Sequence, residues 1–115
     1  MKNLNTIKKN SEFQEIKKVK RSWASHSVIL SVSKKKEQDA FRVGFIISKK
    51  VSKKAVIRNR IKRRFREAVL EIITKYGDPN YDYVLIGRLH AYDCPFNEIK
   101  RDLKYCLKKL QVTKN

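Results

Sequence analysis

Acidic residues are scarce in this chain of 115 residues: Asp and Glu number 11 against 29 Lys and Arg, so the formal net charge is +18. A long apolar run is also missing, and residues 1–11 lack the apolar stretch that a signal peptide needs. We therefore expect neither secretion nor membrane spanning, but a protein of the cytoplasm. The positive charge exceeds what solubility requires, and it favours a polyanionic partner.

Cysteine is rarer still, since the chain contains only Cys94 and Cys106. Their separation suits neither a disulfide framework nor a zinc site with clustered ligands, so we interpret both as reduced thiols. His90 and Cys94 could form half of a metal site, but no second pair of ligands follows at a suitable spacing. The sequence therefore predicts no metal site.

Catalytic groups are also few. A nuclease that works by itself needs a general base, a general acid or a group of carboxylates that binds a metal ion. His26 and His90 are far apart in the sequence, and Asp78, Asp82 and Asp93 show no paired spacing. We therefore predict that the chain contains no catalytic residue.

The chain nevertheless carries enough apolar sequence to fold. Hydrophobic residues make up 41% of it and aromatic residues 10%, which argues against disorder in spite of the high charge. Its length suits one compact unit with a modest core. We predict a single domain over residues 1–115, with residues 1–8 and 112–115 free to fray.

The pattern of apolar residues predicts strands in three places. Alternation and β-branched residues predict strands over residues 27–33 and 41–47, separated by a polar loop at 34–39. Because these two strands follow each other in the sequence, the nearest pairing available to them is a β-hairpin. A short apolar run at residues 83–86 predicts a third strand in the same sheet.

Helical spacing of apolar residues predicts three helices. Ser11 can cap the first, and a longer one is expected over residues 52–76. The last begins near Pro95 and presents apolar residues on one side as far as Leu110. The order of helix, strands, helix, strand and helix predicts a small α/β sandwich in which helices cover a sheet.

Positive charge is densest between residues 49 and 66, where no acidic residue occurs. Like charges one helical turn apart repel by about 0.2–0.5 kcal/mol per pair, so the arrangement favours an anionic partner. Arginine can hold two phosphate oxygens at once, and the turn at residues 48–54 adds the positive end of a helix. Asn59 either binds a phosphate, sugar or base, or is only a polar residue of the first turn. The predicted nucleic-acid contacts are Lys49, Lys50, Lys53, Lys54, Arg58, Asn59, Arg60, Lys62, Arg63, Arg64 and Arg66.

Charge alone does not distinguish RNA from DNA, but a composite motif does narrow the choice. The stretch RVGFIISKKVSKKAVIRNRIKRRFREA, from Arg42 to Ala68, resembles the bacterial ribonuclease P protein family. The hallmark of that family is an Arg-Asn-Arg helix that follows a Gly-containing strand and a Ser-Lys-Lys turn. Phe13 and the segments 82–88 and 96–110 are also similar to the family, so the resemblance extends over most of the chain.

The resemblance implies a fold of three helices around a four-stranded mixed sheet, with a left-handed βαβ crossover and a ribosomal protein S5 domain 2-like arrangement. The residues themselves predict only three strands. We expect the fourth near residues 20–23, where the alternation is weak.

The resemblance also implies a function. The family joins a large catalytic RNA that cleaves precursor tRNA with the help of Mg²⁺ and releases the 5′ leader. By resemblance, this chain binds the catalytic RNA and precursor tRNA, as a monomer in a holoenzyme with one RNA and one protein. It would hold no cofactor itself, because the Mg²⁺ is required by the RNA. The alternative is a non-catalytic RNA-binding protein, such as a ribosomal or nucleoid protein.

Family members use a cleft between the first helix and the sheet for the single-stranded leader. Phe13 is the one obvious platform on which a base could stack. Core packing is the alternative role for each apolar member of the set. The resemblance implies a leader cleft lined or supported by Phe13, Ile16, Lys17, Ser25, Val28, Leu30 and Val32.

Overall fold

The computed structural model describes residues 5–6, 21–34 and 42–114. The predicted first helix and residues 35–39 of the predicted loop lie outside the described residues. Within the described residues, no helix is long and apolar enough to cross a membrane.

The strands form one mixed sheet in the order β1-β4-β5-β3-β2. The first two pairs in this order are parallel and the last two are antiparallel. Four longer strands make up the predicted mixed sheet, and a strand of two residues adds a fifth at its edge. Their bounds are β1 Asn5–Thr6, β2 Arg21–Ala24, β3 Val28–Lys34, β4 Arg42–Ile46 and β5 Tyr81–Gly87.

The predicted hairpin between β3 and β4 is wrong, because β5 lies between them. β3 instead forms its hairpin with β2, through a short connection in which the Ser25 N–H donates to the Val28 carbonyl over 2.9 Å. β5 takes the central position because its Tyr83, Val84 and Leu85 are buried on both faces, which suits a strand in the middle of a covered sheet. The expected fourth strand near residues 20–23 is confirmed as β2.

Two α-helices cover one face of the sheet in the described part of the chain. They are α1 (Ala55–Tyr76) and α2 (Phe96–Leu110), and a short 3₁₀ helix (Leu89–Tyr92) lies between β5 and α2. The apolar stripe predicted for α1 is confirmed. Its buried residues are Ile61, Phe65, Ala68, Val69, Ile72 and Ile73.

The core lies between these helices and the sheet. On β3, Val28, Leu30 and Val32 point into it, and α2 contributes Leu103 and Leu107. β4 and β5 are adjacent and parallel, so the segment β4, α1, β5 is a βαβ unit. The left-handed sense of its crossover stays a prediction.

The end of the chain is tied to the end of α1. We expected residues 112–115 to be free to fray, and residues 112–114 make backbone contacts with the end of α1. Val112 is fully buried, and its carbonyl accepts the Asp78 N–H over 2.7 Å. Thr113 forms a bridge with Gly77, and the Lys114 N–H donates to the Tyr76 carbonyl over 2.6 Å. Apolar burial and these backbone hydrogen bonds outweigh the usual freedom of a terminus.

Candidate nucleic-acid interface

The solvent side of α1 presents four polar residues along one stripe. Asn59, Lys62, Arg63 and Arg66 occupy positions i, i+3, i+4 and i+7, which share one face of a helix. All four are exposed, and none makes a side-chain hydrogen bond or ion pair with another residue of the described segments. We call these four residues the polar stripe. Because α1 is fixed to the core by its opposite side, the stripe is held outward on a rigid element.

Three other arginines of the same segment are held by backbone carbonyls. Arg58 Nη1 donates to the Ser52 carbonyl over 2.9 Å, and Arg60 Nε donates to the Tyr92 carbonyl over 3.1 Å. Arg64 donates from Nη1 to Ala91 over 2.6 Å and from Nη2 to the carbonyl of Cys94. We call Arg58, Arg60 and Arg64 the anchored arginines. A guanidinium has five N–H donors, so each keeps others for a ligand.

Arg60 is further fixed by an aromatic ring. Its guanidinium carbon lies 5.5 Å from the centre of the Tyr92 ring, within the range of a cation–π contact. The anchored arginines therefore differ from the polar stripe, although both belong to the same run of cations in the sequence. The acceptors in residues 91–94 are backbone carbonyls, which leave no signal in the amino-acid sequence.

Four lysines precede α1 and stand at its positive end. Lys49, Lys50, Lys53 and Lys54 are all exposed, and α1 has no acidic residue in its first turn. The Lys54 N–H is partly satisfied by Ser52 Oγ at 3.1 Å, and no side chain caps the helix. The positive end of α1 is therefore not offset by a local carboxylate, which favours an approaching anion.

Acidic partners are absent from this surface in the described part of the chain. The ion pairs of that part join Arg42 to Asp82, Lys100 to Glu71, and Glu98 to His90 and Arg101. None involves a basic residue between positions 49 and 66. The segment therefore exposes positive charge that no described carboxylate neutralises, and an anionic ligand would relieve the repulsion.

The structure describes only part of the predicted leader cleft. Phe13, Ile16 and Lys17 lie outside the described residues. Val28, Leu30 and Val32 are completely buried against the helices, so they can support a leader cleft from within the core but do not line its surface. Alternation along β3 turns these three to the core face and Ile29, Ser31 and Ser33 to the opposite one. Ser25 is half-buried, and its hydroxyl donates to the Val28 carbonyl over 2.5 Å.

The opposite face of the sheet carries a second, smaller apolar cluster. Val84 of β5 is 2% exposed there, and the half-buried Ile46 and Ile86 pack against it. Ile29 of β3 is paired in register with Ile86, which puts it on the same face. The alternation that predicted β3 therefore identified the strand correctly, and Ile29 lies on the opposite face of the sheet from Val28, Leu30 and Val32.

The acidic groups considered as catalytic have structural partners. Asp82 is 4% exposed and accepts Arg42 Nη2 over 2.7 Å and the Arg42 N–H over 3.1 Å. Asp78 accepts the Asn80 N–H over 2.9 Å in the turn after α1. Burial raises the pKa of the Tyr83 phenol, whose hydroxyl donates to the Asp78 carbonyl over 2.6 Å. These groups stabilise the turn after α1 and the pairing of β4 with β5.

Comparisons with known proteins agree on one family. The family model for Ribonuclease P matches residues 1–111. The ribonuclease P protein component of Geobacillus sp. (strain WCH70) is 40% identical over 114 residues, with 99% of this chain and 97% of that protein covered. The ribonuclease P protein component of Shouchella clausii is 41% identical over 112 residues, with coverage of 97% and 90%.

Solved structures give the same result. The Staphylococcus aureus RNase P protein superposes with a TM-score of 0.80 at 35% identity, covering 97% of this chain and 100% of that one. The RNase P protein of Thermotoga maritima, at 22% identity and a TM-score of 0.74, supports the fold alone, with coverage of 93% and 96%. The exposed basic helix and these matches together establish that the chain belongs to the bacterial ribonuclease P protein component family, whose known function is the maturation of tRNA 5′ ends.

Proposed function

We propose that this chain is the protein subunit of a ribonucleoprotein in which the RNA subunit cleaves precursor tRNA. One observation carries the proposal: a helix fixed to the core exposes cations that no described carboxylate neutralises. In this assignment the polar stripe and the lysines of residues 49–54 bind phosphates of the catalytic RNA or of the substrate. The ribosomal and nucleoid alternatives lose support because the family match covers residues 1–111.

The physical role of the protein is to reduce repulsion between two polyanions. Catalytic RNA and precursor tRNA both carry a phosphate at every nucleotide, so their approach is opposed over roughly the Debye length of about 8–10 Å. A chain with a formal charge of +18 lowers that opposition when it binds near the point of contact. One protein for each RNA, acting in the cytoplasm, is sufficient for this role.

The polar stripe does not offer the ligands that Mg²⁺ requires. A magnesium ion takes oxygen ligands, usually with one or two carboxylates, whereas residues 49–66 contain ten cations and no acid. These residues do not fit the ion. We assign the Mg²⁺ to the RNA subunit, and we assign to the protein only binding and orientation of the two RNAs.

For the leader, we propose the sheet face that carries Ile29 and Ser33. Both are half-buried, whereas the inward residues of β3 have no accessible surface. Ile86 extends the same face on β5. Phe13 remains our proposed stacking platform for a leader base. The leader would then run over β3 on the side away from α1 and α2.

Cleavage of precursor tRNA tests the proposal. The purified protein, freed of RNA, should leave precursor tRNA intact, yet it should raise cleavage by the cognate catalytic RNA at low Mg²⁺. Correct 5′ cleavage by the RNA-free protein, or no stimulation of the RNA at any Mg²⁺ concentration, would contradict the assignment. A photo-crosslinker placed in the leader should label Ile29 or Ser33, and labelling confined to α2 would contradict the proposed face.

A further inference from the structure

A second cluster of chemically reactive side chains lies next to the anchored arginines. His90 belongs to the 3₁₀ helix, Cys94 to the connection that follows, and Glu98 to the first turn of α2. One imidazole nitrogen, the thiol sulfur and one carboxylate oxygen all lie within 4.8 Å of one another. In the sequence, only His90 and Cys94 suggested half of a metal site. The turn at Pro95 supplies the third ligand, Glu98, which sequence spacing did not reveal.

The chemistry of the three donors narrows the choice of metal. Zinc is bound by thiolate sulfur at about 2.3 Å, imidazole nitrogen at about 2.0–2.1 Å and carboxylate oxygen at about 2.0–2.2 Å. Magnesium and calcium prefer oxygen alone. We propose that His90, Cys94 and Glu98 bind a zinc ion, with solvent at the fourth tetrahedral position. This site does not depend on the proposed function in RNA processing.

The local geometry supports the proposal. His90 Nε2 and Glu98 Oε2 are already in hydrogen-bond contact, so two of the three donors converge on one point. Cys94 is only 5% exposed, and a bound metal would lie at the edge of the core with its sulfur shielded from solvent. The His26 ring packs edge-on against the His90 ring, with the ring centres 6.0 Å apart, which restricts rotation of the imidazole.

The surrounding charges are compatible with a dication. A thiolate and a carboxylate bring two negative charges, which match the charge of the ion. Arg101 Nη2 lies 3.5 Å from Glu98 Oε1, the oxygen that does not contact His90. Arg64 donates to the Cys94 carbonyl, so it orients the ligand backbone without occupying the sulfur.

A zinc ion here would fix the segment that holds the anchored arginines. The carbonyls of Ala91, Tyr92 and Cys94 accept hydrogen bonds from Arg60 and Arg64. All three acceptors lie between the first and last zinc ligands in the sequence. The metal would therefore link the start of α2 to the 3₁₀ helix. It would also hold these carbonyl groups in place for Arg60 and Arg64 of α1.

Cobalt substitution tests the site in the full chain, free of RNA and stripped of metal. Co²⁺ should bind with a stoichiometry of one, give the sulfur-to-cobalt charge-transfer absorption of a thiolate ligand, and be displaced by Zn²⁺. Cys94→Ser should abolish that absorption. Cys106→Ser is the matched control, since it removes the other buried cysteine of the chain, and it should keep the absorption. Absence of the band in the wild-type protein, or its persistence in Cys94→Ser, would overturn the proposal.

Two further variants test the other proposed ligands at positions where a substitution should leave the protein folded. His90 and Glu98 are partly exposed, so His90→Gln and Glu98→Gln should fold. Each should weaken Zn²⁺ binding by more than the roughly 10- to 100-fold that loss of an outer-shell partner costs. Zn²⁺ should also slow amide hydrogen exchange in residues 89–98 of the wild-type protein but not of His90→Gln. Zinc affinity that is unchanged in both variants would exclude these residues as ligands.

Discussion

Removing the three cations of the polar stripe gives the sharpest test of the proposed interface. Lys62, Arg63 and Arg66 are exposed and have no ion pair or side-chain hydrogen bond within the described segments. Alanine is the best helix former, so replacing all three should leave α1 folded. The triple variant therefore reports on RNA contact rather than on stability.

The expected losses of affinity and of salt dependence follow from counterion release. Each phosphate contact with a duplex contributes about 0.9 to the slope of log K against log salt, so three lost contacts lower the slope by about 2.7. At about 0.15 M salt, each phosphate contact therefore contributes about 1 kcal/mol to the free energy of binding. The triple variant should bind the RNA on the order of 100-fold less tightly than the wild-type protein. For single-stranded RNA, at about 0.7 per contact, the slope should fall by about 2.1.

Fluorescence anisotropy of the labelled catalytic RNA, at salt concentrations from about 50 to 200 mM, measures both quantities. A variant with alanine at Lys75, Lys104 and Lys108 is the matched control, because it removes the same charge from exposed positions elsewhere. It should keep the wild-type slope. If the slope of the stripe variant is also unchanged, the polar stripe is not in contact with RNA. Equal losses in both variants would show that binding follows net charge and not this helix.

Two other predictions follow from the structure. Arg64→Ala removes two hydrogen bonds from a charged donor and leaves their carbonyl acceptors without it, so it should lower the free energy of unfolding by about 1.5–3 kcal/mol, measured by urea denaturation. Arg64→Lys should not restore stability, because lysine lacks the planar fork, and full restoration would refute the geometry. Burial raises the pKa of the Cys106 thiol, so at about pH 8.5 less thiolate is present in the folded than in the unfolded protein. Iodoacetamide followed by mass spectrometry should therefore label Cys106 slowly until urea is added, and equal rates in both states would contradict its burial.

The sequence predicted those parts of the fold that depend on local periodicity. The apolar stripe of α1 and the alternation of β3 were both correct, because each pattern reports directly on which side of an element is buried. Strand pairing was not predictable in the same way. β5 separates β3 from β4, although it follows them by a whole helix, and its burial on both faces determines the order.

The candidate site was also predictable from the sequence only in part. The density of cations between residues 49 and 66 was visible in the sequence, and so was their freedom from acidic neighbours in that segment. The separate role of Arg60 and Arg64 was not visible, because their partners are carbonyl groups of the connection between β5 and α2. Glu98 was overlooked for a similar reason, since a turn and not a spacing rule brings it to Cys94.

The attachment of the C-terminal segment to the end of α1 has a practical consequence for labelling. Lys114 is held beside Tyr76, and a helix rises about 1.5 Å per residue, so this point lies about 20 Å along α1 from Arg63. A fluorophore or affinity handle joined after Asn115 would start at that far end. It would report on the arrival of the RNA without crowding the face that receives it.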